Sequence, residues 1–138
     1  MASSDTGSYS VEVDQARKAI IVTLQGTPTI EQISAVIDEI YDILDDDTVT
    51  PDNPMHIVTD CSQIEGIPFK LKDIRSNSRL TQADNVYWSI VIAPPTLIGN
   101  IVKLFTTIIT SVTETRFRTF STLDEAFAFL DSGSNPYR

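Results

Sequence analysis

Apolar and polar residues alternate in two short stretches near the beginning of the chain. The apolar members fall on every second position, at Tyr9, Val11 and Val13 in one stretch and at Ile20, Val22 and Leu24 in the other. A period of two is typical of strands with one buried face, and the polar residues 14–18 between the stretches suit a turn. The pattern predicts an antiparallel hairpin that ends near Gly26.

A helical period replaces the alternation after residue 28. Thr29 and Gln32 have the spacing of a capping box, in which each side chain satisfies a backbone N–H group of the other residue. Behind this cap, apolar residues return every three or four positions, at Ile30, Ile33, Val36, Ile37, Ile40, Tyr41, Ile43 and Leu44. The acidic residues 45–47 close the pattern, which predicts an amphipathic helix up to about residue 44 with its acidic residues facing water.

Strands and helices alternate in the rest of the chain. Apolar runs predict strands at residues 55–60, 85–93 and 116–120, and amphipathic patterns predict helices at 68–80, 97–111 and 122–130. The last helix has capping-box spacing at Thr122 and Glu125, and its expected buried stripe is Leu123, Ala126, Phe127 and Leu130. The order β-β-α-β-α-β-α-β-α predicts an α/β fold, in which a mixed β-sheet with an N-terminal antiparallel hairpin carries helices packed on it.

Length and composition favour a single domain. Of the 138 residues, 41% are hydrophobic and 21% are charged, and we expect one domain over residues 9–131 with flexible tails at 1–8 and 132–138. The single Cys61 permits no internal disulfide, and the first residues lack the apolar segment of a signal peptide, so we expect a cytoplasmic location. Helix 97–111 is shorter than the roughly 20 residues of a membrane span, so we expect no membrane insertion.

The charge of the chain is acidic and unevenly distributed. A net charge of −9 would repel a nucleic acid or an anionic membrane. No Lys or Arg occurs from residue 19 to residue 69, where acidic residues accumulate at Glu31, Asp38, Glu39, Asp42, Asp45, Asp46, Asp47 and Asp52. Lys72, Arg75 and Arg79 then share one face of predicted helix 68–80. This basic stripe suits an acidic partner or an anionic ligand, and the simpler interpretation is an ordinary solvated face.

The predicted helix at 97–111 has a broad apolar arc. Its apolar residues include Leu97, Ile101, Leu104, Phe105 and Ile108. The fringe of such an arc suits a dimer contact or the wall of a pocket for an apolar ligand, which Trp88 would share. Ordinary packing in the core explains the same pattern, so both interpretations stay open.

Reactive and metal-binding side chains are few and scattered. Cys61 follows a predicted strand, but His56 is the single histidine and no motif pairs a base with the thiol. We therefore expect a structural cysteine and a strand-edge histidine. The acidic residues 45–47 lack the spacing and the glycine of a calcium loop, and no glycine-rich phosphate loop occurs. No catalytic, cofactor-binding or metal-binding residue is predicted.

Several segments resemble the STAS superfamily, and within it the small SpoIIAA-like proteins. The likeness lies in the opening hairpin through residues 23–26, in strand 56–60, and in residues 91–95 and 116–130. Phosphorylated members of this superfamily carry an acceptor Ser or Thr at a helix N-terminus, shortly after a strand that ends in an acidic residue. Asp60 matches that strand end, but Ile67, Pro68 and Phe69 stand where the acceptor would be. The resemblance therefore implies the fold without its usual phospho-acceptor, and Ser62 is left as a weak candidate for modification.

The resemblance and the scattered reactive residues together favour a non-enzymatic, STAS-like regulatory or protein-interaction module without a cofactor. A homodimer through residues 97–112 is one form that such an interaction would take. The alternative is a carrier for an apolar or amphipathic small molecule, held between helices 68–80 and 97–112 with Lys72, Arg75 or Arg79 at the mouth. An enzyme would need a polar cluster in a cleft, which the sequence does not indicate.

Overall fold

The computed structural model describes residues 7–50, 52–66, 86–93 and 117–132 of the chain. These residues form β1 (Ser8–Asp14), β2 (Ala19–Gly26), α1 (Ile30–Leu44), β3 (Met55–Ile64), β4 (Val86–Ile92), β5 (Phe117–Phe120) and α2 (Leu123–Asp131). The predicted helices at 68–80 and 97–111 lie outside the described residues. Every described element was predicted from the sequence, with small differences at the ends.

The strands form one mixed sheet in the order β1-β2-β3-β4-β5. Strands β1 and β2 pair antiparallel as the predicted hairpin, and each later strand pairs parallel with the one before it. Parallel neighbours need a crossover connection, which α1 provides between β2 and β3. The mixed α/β architecture predicted from the sequence is confirmed.

The three central strands of the sheet, β2, β3 and β4, are buried on both faces. One face packs against α1 through a core that includes Ile20, Val22 and Leu24 of β2, Ile57 of β3 and Val91 of β4. The other face packs against Ala126 and Leu130 of α2, through Ala19 and Ile21 of β2, Val58 of β3 and Ile90 of β4. Burial on both sides explains the nearly continuous apolar runs of β3 and β4. For β2, the alternation predicted one buried face, but Ala19 and Ile21 are buried as well.

The capping box at the start of α1 is confirmed. Thr29 Oγ1 accepts a hydrogen bond from the Gln32 N–H at 3.1 Å, and Gln32 Oε1 accepts one from the Thr29 N–H at 2.9 Å. The Gln32 amide also donates to the carbonyl of Gly7 at 2.6 Å. A Cβ at Gly7 would lie 2.5 Å from the Pro28 nitrogen, so only glycine fits there. Gly7 and Ser8 were assigned to the tail, but Ser8 begins β1, and the Gly7 N–H donates to the Thr27 carbonyl at 3.1 Å.

The final helix, α2, begins as predicted but is capped differently. Thr122 Oγ1 accepts from the Glu125 N–H at 3.2 Å, whereas the Glu125 carboxylate accepts from the Ser121 N–H at 3.1 Å and not from Thr122. In the predicted stripe, Ala126 and Leu130 are buried, while Leu123 and Phe127 are half-buried. Phe129, which the prediction left out, also packs against this core.

Strand β3 is longer than predicted because a β-bulge lets it continue. The sequence analysis ended this strand at Asp60, but it runs to Ile64. Its register with β2 passes from Thr23 opposite Asp60 to Gln25 opposite Gln63, so two residues of β3 face one residue of β2. A bulge absorbs the extra residue and the strand resumes beyond it. Cys61 and Ser62 therefore lie inside the strand.

His56 is not at a strand edge, as the sequence analysis expected, but is fully buried in a central strand. A second bulge explains its environment. The register passes from Met55 opposite Val86 to Ile57 opposite Ser89, so His56 faces two residues of β4. The Trp88 N–H that this bulge frees donates to His56 Nδ1 at 3.2 Å. The imidazole thus replaces a missing bond of the ladder, and its proton belongs on Nε2.

Candidate functional site

Most of the residues that the sequence singled out as contact candidates lie outside the described part of the chain. These are Lys72, Arg75, Arg79, Leu97, Ile101, Leu104, Phe105 and Ile108. Trp88 and Ser62 are described, and the structure does not bring them together. Trp88 lies beside His56 near the start of β3, and Ser62 lies about 18 Å further along that strand.

Trp88 belongs to the core beneath α2. Trp88 is 8% exposed. Its ring packs edge-on against the ring of Phe129, with 4.9 Å between the ring centroids. The Arg118 guanidinium lies 5.5 Å from the indole centroid and 5.4 Å from that of Phe129, within cation–π range of both. Trp88 lies in the first half of β4.

Ser62 is held inside the bulge of β3. It is half-buried, and its backbone N–H donates to Asp60 Oδ1 at 3.0 Å. Asp60 thereby satisfies an N–H group that the bulge removes from the ladder, much as His56 does at the other bulge. Asp60, which the STAS resemblance placed at a strand end, thus lies within the strand and binds its backbone.

Cys61 is a buried thiol whose pKa is raised. It is 0% exposed, and burial together with the Asp60 charge raises its pKa to about 12. Cys61 packs on the α1 side of the sheet, whereas His56, next to Ile57 on the same strand, points to the opposite face. A thiolate is the reactive form of cysteine, so this thiol is chemically inert at neutral pH. In the described part of the chain, no three His, Cys, Asp or Glu residues are arranged to hold a metal ion.

The solvent side of α1 carries a strip of carboxylates that we call the acidic face. It consists of Glu31, Asp38, Glu39 and Asp42 of the helix, with Asp45, Asp46 and Asp47 that follow it, and all seven residues are exposed. Salt bridges join Arg17 to Asp14 and to Asp131, on another part of the described surface. A hydrogen bond to the Glu39 carboxylate raises the pKa of Tyr9.

The acidic face opposes the dipole of its own helix at one end. The carbonyl groups at a helix C-terminus carry partial negative charge, which favours basic residues in the last turn. The last turn of α1 has no basic residue, and Asp42 and three further aspartates surround it. Negative charge therefore concentrates at this end of α1.

A groove of about 270 Å³ lies beside this end of α1. We call it the hairpin–helix groove, because β1 and the hairpin turn form one wall and the end of α1 forms the other. Its apolar lining is contributed by Val13, Ile43, Val49 and Met55. Its polar lining is contributed by Gln15, Asp42, Asp46 and Thr48. Among the described residues, Val13 is the one large apolar side chain classed as exposed, at 36%.

Hydrogen bonds fix the loop that closes the groove. Asp46 Oδ1 accepts from the Thr48 N–H at 2.9 Å and from the Thr48 hydroxyl at 2.7 Å, which lowers the pKa of Asp46. Asn53 then donates to the Thr48 carbonyl at 2.7 Å and accepts from the ammonium group of Lys18 in the hairpin turn. The carboxylate of Asp46 is therefore ionised and held in place at the rim.

This groove could not be predicted from the sequence, because residues far apart in the chain form it. The aspartates at 45–47 were interpreted as a solvated helix end, and their exposure agrees with that interpretation. The available signal was their position, since acidic residues at a helix C-terminus are electrostatically unfavourable. The apolar partners from the hairpin could not be assigned to the groove without the fold.

Comparison with known proteins supports the fold alone. No family model and no curated protein matches the sequence. In structure, the chain is similar to an uncharacterized protein of the DUF3478 family, with a SpoIIAA-like fold, from Shewanella loihica PV-4. The two chains superpose with a TM-score of 0.62 at 13% sequence identity, over 91% of this chain and 94% of the other. None of the described helices is long and apolar enough to cross a membrane. The chain thus has a SpoIIAA-like α/β fold, as the resemblance of its sequence implied.

Proposed function

We propose that the protein is a non-enzymatic interaction module that binds a basic region of a partner protein on the acidic face of α1. The observation that carries this proposal is the concentration of seven exposed carboxylates along α1 and directly after it, with no basic residue in the last turn of the helix. Such a strip attracts a basic partner at long range and disfavours acidic ones.

The electrostatic cost of the acidic face supports a binding role. Like charges one helical turn apart repel each other, and aspartates at a helix C-terminus oppose the helix dipole. Asp38 and Asp42 have this spacing, and Asp42 lies in the last turn. Side chains that weaken the fold they belong to are typical of binding surfaces.

The state of the reactive groups in the described residues supports a binding role over a catalytic one. The Cys61 thiol is buried with its pKa raised to about 12, and the His56 ring binds the backbone of Trp88. Asp60 is engaged with the backbone of Ser62. These three side chains contribute to the packing and the hydrogen bonds of the sheet.

Zero-length carbodiimide cross-linking in an extract of the source cells tests this proposal, because it joins carboxylates to lysines only where they touch. We expect cross-links from Glu31, Asp42 and Asp47 to lysines of one partner. They should disappear when these three residues are changed to Lys. A matched control, with Glu12, Asp52 and Asp124 changed to Lys, alters the net charge equally at other exposed positions and should keep the partner.

The same experiment separates the proposal from its rivals. Cross-links spread evenly over the surface, or retained after the α1 changes, would contradict it. A small molecule that co-purifies in native mass spectrometry would favour the carrier function instead. Cross-links between two copies of the chain, with a mass that rises with concentration in sedimentation velocity, would identify the partner as a second copy.

A further inference from the structure

We propose that the hairpin–helix groove is a docking site for one lysine or arginine side chain of the partner protein. The inference rests on the proposed function, because it names the anchor of that interaction. It depends on the shape, lining and charge of the groove.

The size of the groove fits a single side chain. Its volume of about 270 Å³ is below the roughly 300–1,000 Å³ of typical small-molecule sites. An anchor side chain of a partner protein needs a smaller cavity than a free ligand, because the rest of the partner contacts the surrounding surface. The groove is therefore better suited to an anchor residue than to a free ligand.

The lining matches a long cationic side chain. Lysine and arginine place their methylene stems on apolar surface while the charged head stays in a polar environment. Val13, Ile43 and Val49 provide apolar surface for the stem, and Val13 is exposed in the free protein. An apolar wall provides no ligands for a metal ion.

The charge of the rim matches the head group. Asp42 and Asp46 line the groove, and the carbonyl end of α1 lies beside them. The Asp46 carboxylate is held by Thr48 through Oδ1. A cation here would relieve the repulsion among the aspartates and complement the helix dipole. The same features disfavour an acidic or a neutral anchor.

An NMR titration of the full, isotope-labelled chain tests the docking site. The probes are three blocked pentapeptides, in which Lys, Arg or norleucine is flanked by two alanines on each side. Norleucine keeps an apolar stem but has no charge. We expect the Lys and Arg peptides to shift the amide signals of Val13, Ile43 and Val49, and the norleucine peptide to have little effect.

Three variants localise the binding. Asp42→Asn should lower the affinity for the Lys peptide up to about fivefold, as expected for the loss of an exposed ion pair. Val13→Thr keeps the shape but makes the wall polar, and it should also weaken binding. Glu12→Gln is the matched control, because it removes one charge from the neighbouring residue, whose side chain points to the opposite face of the sheet. It should leave the affinity unchanged.

The docking site would be overturned if the norleucine peptide bound as well as the Lys peptide, or if the signals shifted along all of α1 without regard to the variants. Tighter binding of a free diamine such as putrescine would also overturn it, because it would indicate a small-molecule site. If the peptides fail to bind while the cross-links from α1 persist, the docking site is wrong and the proposed function stands. If both fail, both are wrong.

Discussion

Arg17 and Asp131 are 114 positions apart, yet their side chains form a two-point ion pair, with Nε 3.1 Å from Oδ1 and Nη2 3.0 Å from Oδ2. The Arg17 guanidinium also lies 4.1 Å from the centroid of the Phe127 ring. Arg17 belongs to the turn of the β1–β2 hairpin, and α2 follows β5 at the other edge of the described sheet. The pair thus fastens α2 across the sheet.

Replacing Arg17 with Lys should loosen this attachment. Lysine keeps the charge but cannot form the planar two-point bond or stack on Phe127. We expect the free energy of unfolding to fall by about 0.5–1 kcal/mol, a small value because both partners are partly exposed. Urea unfolding measures it, and a double-mutant cycle with Asp131→Asn isolates the pair. A coupling energy of zero would contradict the role given to it.

Stability should also depend on pH through Asp14. A hydrogen bond from Arg17 is the main reason why the pKa of Asp14 is lowered. A carboxyl whose pKa is lower in the folded state stabilises the fold above its unfolded pKa of about 4, and this contribution is lost as the pH falls through the folded value. The stability difference between the wild type and Asp14→Asn should therefore shrink below about pH 4. In an Arg17→Gln background, this pH dependence should become clearly weaker, and the part that remains comes from the backbone N–H groups of residues 16 and 17.

His56 should protect the Trp88 amide specifically. His56→Leu removes the acceptor at the β4 bulge, and a buried N–H group without a partner costs about 1–3 kcal/mol. His56→Asn places an amide oxygen near the position of Nδ1, so it is the matched variant. We expect hydrogen exchange at the Trp88 amide to be faster in His56→Leu than in His56→Asn. Equal exchange rates in the two variants would contradict this account of the bulge.

Cys61 should behave as a core residue. Its thiol is buried and its pKa is raised from 9.0 to about 12, so iodoacetamide at neutral pH should label it only after unfolding. A group whose pKa is higher in the folded state than in the unfolded state stabilises the fold at pH values below its unfolded pKa. This contribution is lost as the pH rises toward the folded pKa. The wild type should therefore lose stability above about pH 9 relative to Cys61→Ala. Rapid labelling of the folded protein would show that the thiol is accessible.

The sequence predicted the elements that depend on local patterns. The alternation at Tyr9, Val11 and Val13 predicted β1, and the caps at Thr29 and Thr122 predicted where both described helices begin. Local patterns do not encode bulges, since a bulge depends on the register between two strands. The end of β3 and the burial of His56 were therefore predicted incorrectly.

The candidate site was less predictable than the fold. The acidic residues of α1 were visible in the sequence, but their joint position with Val13 depends on the hairpin lying against the end of the helix. The same holds for the ion pair between Arg17 and Asp131, because no periodicity relates residues so far apart. The acidic residues in the sequence indicated a charged surface on α1, but the hairpin–helix groove could be identified only from the fold.

The most direct test of the docking site, and of the electrostatic cost of Asp42 on which the account depends, is urea unfolding of the wild type and of Asp42→Asn, each with and without excess Lys peptide. Urea leaves the ionic strength unchanged, so charge effects remain visible. A ligand that binds only the folded state stabilises it by mass action. We expect Asp42→Asn to be about 0.3–1 kcal/mol more stable than the wild type without peptide, and the peptide to stabilise the wild type more than the variant. A less stable variant, with equal stabilisation of both proteins by the peptide, would contradict the account.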